Sequence, residues 1–238
     1  MDGKKIIFIT GTDTGVGKTL LAALLLHHLR RAGVHALAMK PFCSGGRADI
    51  QLLQSLQPGE LSNAEMNPFY FAKPVAPLVA QKGRRAIRPG DVVGKIGKIR
   101  SRCDCLLIEG SGGLLVPLGP DFLVADLIAT LKCRVIIAAR NRLGTINHTL
   151  LTAGALRARG SKEKELSVVL MSERTKDSSC VTNRGVLAEL LNPVPVVEIP
   201  FLGSRIWSKA AIIRSHHRLK KTLQMLARLN GFGQSIMR

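Results

Sequence analysis

Lys18 and Thr19 close the stretch Gly11-Thr12-Asp13-Thr14-Gly15-Val16-Gly17-Lys18-Thr19, a pattern that could hold a triphosphate. A lysine placed there reaches β- and γ-phosphates, and the neighbouring hydroxyl can bind Mg²⁺. The glycines let the backbone turn tightly and approach an anion closely. Loop N–H groups and the start of a following helix then face the phosphate. Five residues, not four, separate Gly11 from Gly17, so the spacing departs from the ordinary phosphate loop. In the ordinary register Thr12 stands where the first glycine belongs. The competing view is a glycine-rich turn with a chance Lys-Thr. An apolar run before the loop and a helical pattern after it argue against that view.

Three more residues could act on the same anion. Lys40 ends an apolar run and precedes Pro41, a place where a buried lysine needs an anionic partner. Glu109 closes Leu106-Leu107-Ile108-Glu109, and Asp49 follows the loop after Lys40. Mg²⁺ beside phosphates takes one or two carboxylates, so this pair suits it. Asp49 alone would read as an aspartate favoured by a helix dipole. The histidines form no Ser-His-Asp arrangement, and neither His27-His28 nor His216-His217 has a carboxylate or cysteine at metal-ligand spacing. Cys103-Asp104-Cys105 has no matching second pair and reads as the lead-in to a strand.

These residues need a frame that brings them together. Strands are expected at Lys5–Thr10, His35–Lys40, Cys105–Glu109, Arg134–Ala139, Leu166–Met171 and Val196–Ile199. Helices are expected at about Lys18–Ala32, Ala48–Leu56, Asp91–Arg102, Asp121–Leu131, Gly144–Arg159 and Val181–Leu191. From Leu61 to Arg88 the pattern is weak, with Asn67-Pro68, Lys73-Pro74 and Ala76-Pro77 marking irregular backbone. Apolar strands alternating with helices predict an α/β fold: a mostly parallel sheet with helices on both faces, of the P-loop NTPase kind. Ligands of such sheets bind beyond the carboxyl ends of the strands. That rule gathers the phosphate loop, Lys40, Glu109 and Ser172.

The chain has 238 residues and is 46% hydrophobic, enough for one domain with a large core. One domain over 1–238 is expected, with a basic helical tail over about 204–238. No apolar run reaches the length of a membrane span, and the first strand follows Met1-Asp2-Gly3-Lys4 directly, so no signal peptide is expected. Five scattered cysteines give no disulfide framework and suggest a reducing cytosol. The net charge of +19 raises the question of nucleic acid. Aromatic residues are only 4% and do not interleave with the basic ones, so a solvated basic surface is the favoured explanation and no nucleic acid is expected.

Five segments in order resemble the dethiobiotin synthetase family: the extended phosphate loop, Lys40-Pro41-Phe42-Cys43-Ser44-Gly45, Asn67-Pro68-Phe69-Tyr70-Phe71, Glu109-Gly110-Ser111-Gly112-Gly113 and Leu143-Gly144-Thr145-Ile146-Asn147-His148. The resemblance covers about residues 5–202. It implies an ATP- and Mg²⁺-dependent cyclo-ligase that joins CO₂ to 7,8-diaminononanoate, through a carbamate and its phosphorylated form, to make dethiobiotin, ADP and phosphate. It further implies nucleotide contacts from Gly15, Val16, Gly17, Lys18, Thr19, Leu20, Gly110, Ser111 and Gly112. Base contacts would come from Ser172, Pro200, Phe201 and Leu202. Lys18 and Lys40 would be catalytic, and Thr19, Asp49 and Glu109 would hold the metal. Thr14 and Ser44 would meet the diamine or carbamate. Gly144, Thr145 and Asn147 would grip the substrate carboxylate from the second subunit of a homodimer. Two departures stand out: Gly15 replaces a glutamate found in some members, and Ser172-Glu173 replaces the family's adenine-reading Asn-Asp. The alternative is a partition-type DNA-associated ATPase, but its signature lysine would fall at Asp13.

Overall fold

Continuous apolar runs make strands buried on both faces, and these strands build the sheet at the centre of the molecule. The computed structural model describes residues 5–83 and 85–233. Its elements in chain order begin with β1 (Lys5–Gly11), α1 (Lys18–Arg31), β2 (Ala36–Met39), β3 (Phe42–Ser44), α2 (Ala48–Leu56), α3 (Asn63–Met66) and β4 (Phe69–Phe71). There follow α4 (Pro77–Ala80), α5 (Pro89–Arg100), β5 (Cys105–Glu109), β6 (Pro117–Gly119), β7 (Phe122–Leu123) and α6 (Val124–Leu131). The chain continues through β8 (Arg134–Asn141), α7 (Thr145–Arg157), β9 (Leu166–Ser172), α8 (Asn183–Leu190), β10 (Val196–Ile199) and α9 (Lys209–Leu229).

Six strands form the main sheet in the order β10-β9-β8-β1-β5-β2, with every neighbouring pair parallel. The expected α/β architecture is therefore present. β1 is central: Ile9 pairs with Glu109 on one side and Ile136 on the other. The chain builds first on the β5–β2 side of β1, then crosses to the β8 side. Such a reversal opens a crevice at the carboxyl ends of the strands.

Most element ends fall within a residue or two of those expected, as ends commonly do. Asp121–Leu131 differs. Phe122–Leu123 pairs with β6 instead, and α6 starts at Val124. Asp126 Oδ2 accepts the Leu123 N–H at 2.9 Å, which satisfies a free donor at that start. The weak stretch after Leu61 holds short elements fixed by side chains. Ser62 and Glu65 form a reciprocal cap on α3, and β4 pairs in parallel with β3.

The expected C-terminal helix is α9, while residues 234–238 lie outside the described ones. Its apolar face, with Ile212, Leu219, Leu223 and Leu226, is buried, and it packs on α1. In that seam His28 Nδ1 and His216 Nε2 are 3.1 Å apart, so one ring donates to the other. Burial, with His27, His28 and Arg31 nearby, pushes His216 down to about 4, so its ring is neutral at neutral pH.

Candidate active site

The loop between β1 and α1 depends on its glycines. Gly15 has φ +71° and Gly17 has φ +96°, conformations that side chains rarely adopt. A Cβ on Gly11 would lie 2.7 Å from Val16 Cγ2 and 3.1 Å from Lys18 Nζ. Gly17 leads into α1 without a side-chain cap, so the helix start is left to a ligand. Lys18 Nζ donates to the Asp13 carbonyl at 2.8 Å, which folds the ammonium back over the loop. Burial pushes Lys18 down to about 8, with Glu109 opposing the shift and Lys40 adding to it.

Two neighbouring strands carry the opposite charges. Glu109, at the end of β5, is 2% exposed. Its Oε1 accepts from Thr19 Oγ1 at 2.7 Å and from Lys40 Nζ at 2.6 Å. Lys40, which follows β2, also donates to Asp49 Oδ2 in the first turn of α2. Burial alone would lower the Lys40 pKa, but the two carboxylates outweigh it and raise it. Glu109 Oε2 is buried with no hydrogen-bond partner among the described residues. A buried carboxylate oxygen left in that state calls for a cation or a donor.

Several motif residues hold this constellation in place. Asn67 Nδ2 donates to the carbonyls of Lys40 at 2.8 Å and Pro41 at 3.3 Å, which fixes the turn after β2. Phe42 stacks on Phe69 with centroids 4.8 Å apart, and Tyr70 Oη donates to the Gly45 carbonyl at 2.8 Å. These contacts set Ser44, whose buried Oγ has no partner among the described residues. At Gly110 a Cβ would meet the Phe8 ring at 3.0 Å, so the chain can leave β5 sharply only with glycine.

The groups enclose a cavity of about 500 Å³. Thr14, Gly15, Gly17, Lys18, Thr19, Lys40, Ser44, Asp49, Glu109, Ser111 and Gly112 all line it. Val16, Leu20, Ser172, Pro200, Phe201 and Leu202 instead line an adjoining pocket of about 240 Å³. There Ser172 Oγ already donates to Glu198 Oε1 at 2.5 Å, and Glu173 pairs with Arg140 at 3.6 Å. Gly144, Thr145 and Asn147 are not brought to either. They start α7, where Thr145 lines a small recess with Asp13, Arg140 and His148. Gly110 turns beneath the main cavity without lining it. Sequence reasoning missed Arg140 and Trp207. Trp207 lines both pockets, and its one sequence signal is being the single tryptophan of the chain.

The geometry can be set beside known proteins. A family model described as an AAA domain matches residues 5–217, and the chain belongs to that family. The ATP-dependent dethiobiotin synthetase BioD of Bacillus licheniformis is 37% identical over 226 residues, covering 91% of this chain and 92% of that protein. BioD of Akkermansia muciniphila is 34% identical over 200 residues, covering 83% and 90%. The chain is a dethiobiotin synthetase family member. It is an ATP-dependent ligase of biotin biosynthesis, with ATP as cosubstrate. Beyond the dethiobiotin synthetases, the structure of pNOB8 ParA bound to nonspecific DNA aligns with TM-score 0.59 at 13% identity, covering 97% of this chain and 99% of that one. At that identity the likeness shows the fold alone. The position of the partition-type signature lysine is Asp13, whose carbonyl holds Lys18. No helix among the described residues is long and apolar enough to cross a membrane.

Proposed function

We propose that the cavity at the ends of β1, β2 and β5 joins CO₂ to both amines of 7,8-diaminononanoate. One amine adds to CO₂ and loses a proton, giving a carbamate. A carbamate oxygen attacks the γ-phosphorus of ATP, and the bond to ADP breaks. The second amine attacks the carbonyl carbon, loses its proton, and expels phosphate as the ring closes. Every species transferred is anionic, so the protein's task is positioning and charge stabilisation.

The observation that carries this reading is the cluster of buried Lys18, Lys40, Thr19 and Glu109, with half-buried Asp49, lining one cavity. Lys18, rooted at the start of α1, would hold the β- and γ-phosphates. Lys40, kept charged by Glu109 and Asp49, would face the carbamate and the phosphoryl group in transfer. The unpartnered hydroxyl of Ser44 and the Thr14 side chain line the same space and would position the diamine. The two lysines and two carboxylates cancel formally, so an incoming triphosphate leaves an excess of negative charge. The donor set fits a hard divalent cation: two carboxylates and a hydroxyl, with Glu109 Oε2 still free among the described residues. Thr19, Asp49 and Glu109 would hold Mg²⁺, which when bound neutralises phosphate oxygens.

Gly144, Thr145 and Asn147 would serve the cavity of a second copy. That they do not line this chain's own cavity supports that role, as do the exposed apolar side chains of Leu143 and Leu151 beside them. A homodimer with composite sites follows. ADP release measured with and without diamine and bicarbonate tests the reaction. Release should need both, with dethiobiotin formed in equal amount. ATP turnover indifferent to diamine and stimulated by DNA would overturn the reading and favour the partition-type ATPase.

A further inference from the structure

We propose that Trp207 is the base-stacking residue of the nucleotide site. It gives the base affinity through its ring face, where the paired hydrogen bonds of an adenine-reading asparagine are missing. This inference rests on the nucleotide reading of the cavity.

Trp207 lies where the two pockets meet, since among the described residues only Gly15, Gly17 and Trp207 line both. A nucleotide whose phosphates sit on the loop and whose base enters the smaller pocket must pass it. The residue is 54% exposed, unusual for the one tryptophan in a chain with so few aromatic residues. No aromatic ring or cation among the described residues stacks on it. Its backbone, by contrast, is anchored on both sides. Ile206 is buried in the core, and Ser208 Oγ accepts the Ala211 N–H at the start of α9. A free ring on a fixed backbone suits a platform for a planar ligand, because little backbone freedom is lost on binding.

The two side chains that replace the adenine-reading pair, Ser172 and Glu173, are already engaged. Ser172 Oγ donates to Glu198, which also accepts from Asn141 Nδ2 at 3.2 Å. Glu173 faces Arg140. A base in this pocket therefore meets Ser172 and Glu173 already held by other side chains, and a π-face on which no ring or cation among the described residues stacks. Stacking tolerates any base, since every base has a π-face. Trp207 also belongs to the segment between β10 and α9, so the packing of α9 on α1 sets where the platform stands.

The single tryptophan makes the test direct. Wild-type protein with Mg²⁺ is titrated with a non-hydrolysable ATP analogue, the matching GTP analogue and inorganic tripolyphosphate, followed by calorimetry and tryptophan emission. Both nucleotides should change the emission at their calorimetric midpoints, and tripolyphosphate should bind without that change. Trp207→Ala should raise KM for ATP and GTP alike by roughly tenfold with kcat little altered, and Trp207→Phe should recover most of the loss. Calorimetric binding of the ATP analogue with unchanged emission, or an equal change with tripolyphosphate, would overturn the stacking role alone. Absence of binding by all three ligands would overturn the nucleotide reading, and the stacking role with it.

Discussion

The two halves of the nucleotide site are built by different means. At the phosphate half, Lys18, Thr19, Lys40 and Glu109 are buried, and each is fixed by a hydrogen bond or ion pair given above. At the base half, Ser172 and Glu173 are bound to protein partners, while Phe201 and Trp207 stand exposed. Buried charges in fixed positions are costly to leave unpaired, so their arrangement is strict. Aromatic faces and solvent-edge polar groups ask for less. The difference teaches that this enzyme should recognise the triphosphate closely and the base loosely.

The largest effect should come from breaking the phosphate half. Lys40→Ala should lower kcat by roughly 10²-fold or more, the scale of a lost electrostatic group. Lys18→Ala should act more on ATP binding. Near-normal turnover by Lys40→Ala would remove that residue from the chemistry.

Acid should act on the seam behind both halves. His216 titrates near 4 when folded and near its ordinary value when unfolded. The unfolded chain therefore takes up the proton first. Stability is full above the ordinary histidine range and falls as pH drops from there toward 4. The loss should be about 2 kcal/mol in urea unfolding, allowing for residual solvation. His216→Gln should flatten part of that slope, the rest belonging to His27 and His28, whose pKa values burial also lowers. An unchanged slope would assign acid sensitivity elsewhere.

Alkali should separate the halves more finely. Phosphate binds the ammonium form of Lys18, which in the free protein is lost as pH rises through about 8. Affinity for an ATP analogue should fall roughly tenfold between pH 7 and 9. Tripolyphosphate should show the same slope, since no base group takes part. A slope seen only with the nucleotide would shift the titration to the base half.

Assembly gives a smaller signal. In mixtures of Lys18→Ala and Asn147→Ala subunits, half the dimers are mixed and each holds one intact composite site. About a quarter of wild-type activity should return. No recovery despite confirmed subunit exchange would mean that Asn147 serves its own subunit or none.

The same division governed what could be read from the sequence. Lys18, Thr19, Lys40 and Glu109 were legible because each sits at a strand end or loop that the apolar pattern marks. A parallel sheet must gather those ends. The contact between Lys40 and Asp49 was less so: Asp49 reads equally well as a dipole-favoured residue of α2. Asn67 was visible as a motif residue, but its grip on the Lys40 and Pro41 carbonyls depends on β4 lying beside β3. Strands of three residues leave almost no periodic signal. At the base half, the capture of Ser172 by Glu198 needs the pairing of β9 with β10. The place of Trp207 needs α9 to dock on α1. Such long-range contacts leave no local spacing to read.

The claim that the phosphates are read and the base is not can be measured directly. It is kcat/KM for ATP, GTP, CTP and UTP at saturating diamine and bicarbonate. A site that offers a base no paired hydrogen bonds should favour ATP by no more than about tenfold, the scale of one modest hydrogen bond. Sites built around such bonds can reject analogues by roughly 10⁴-fold. An ATP preference of several hundredfold would contradict the account and show that adenine is read here without the missing asparagine.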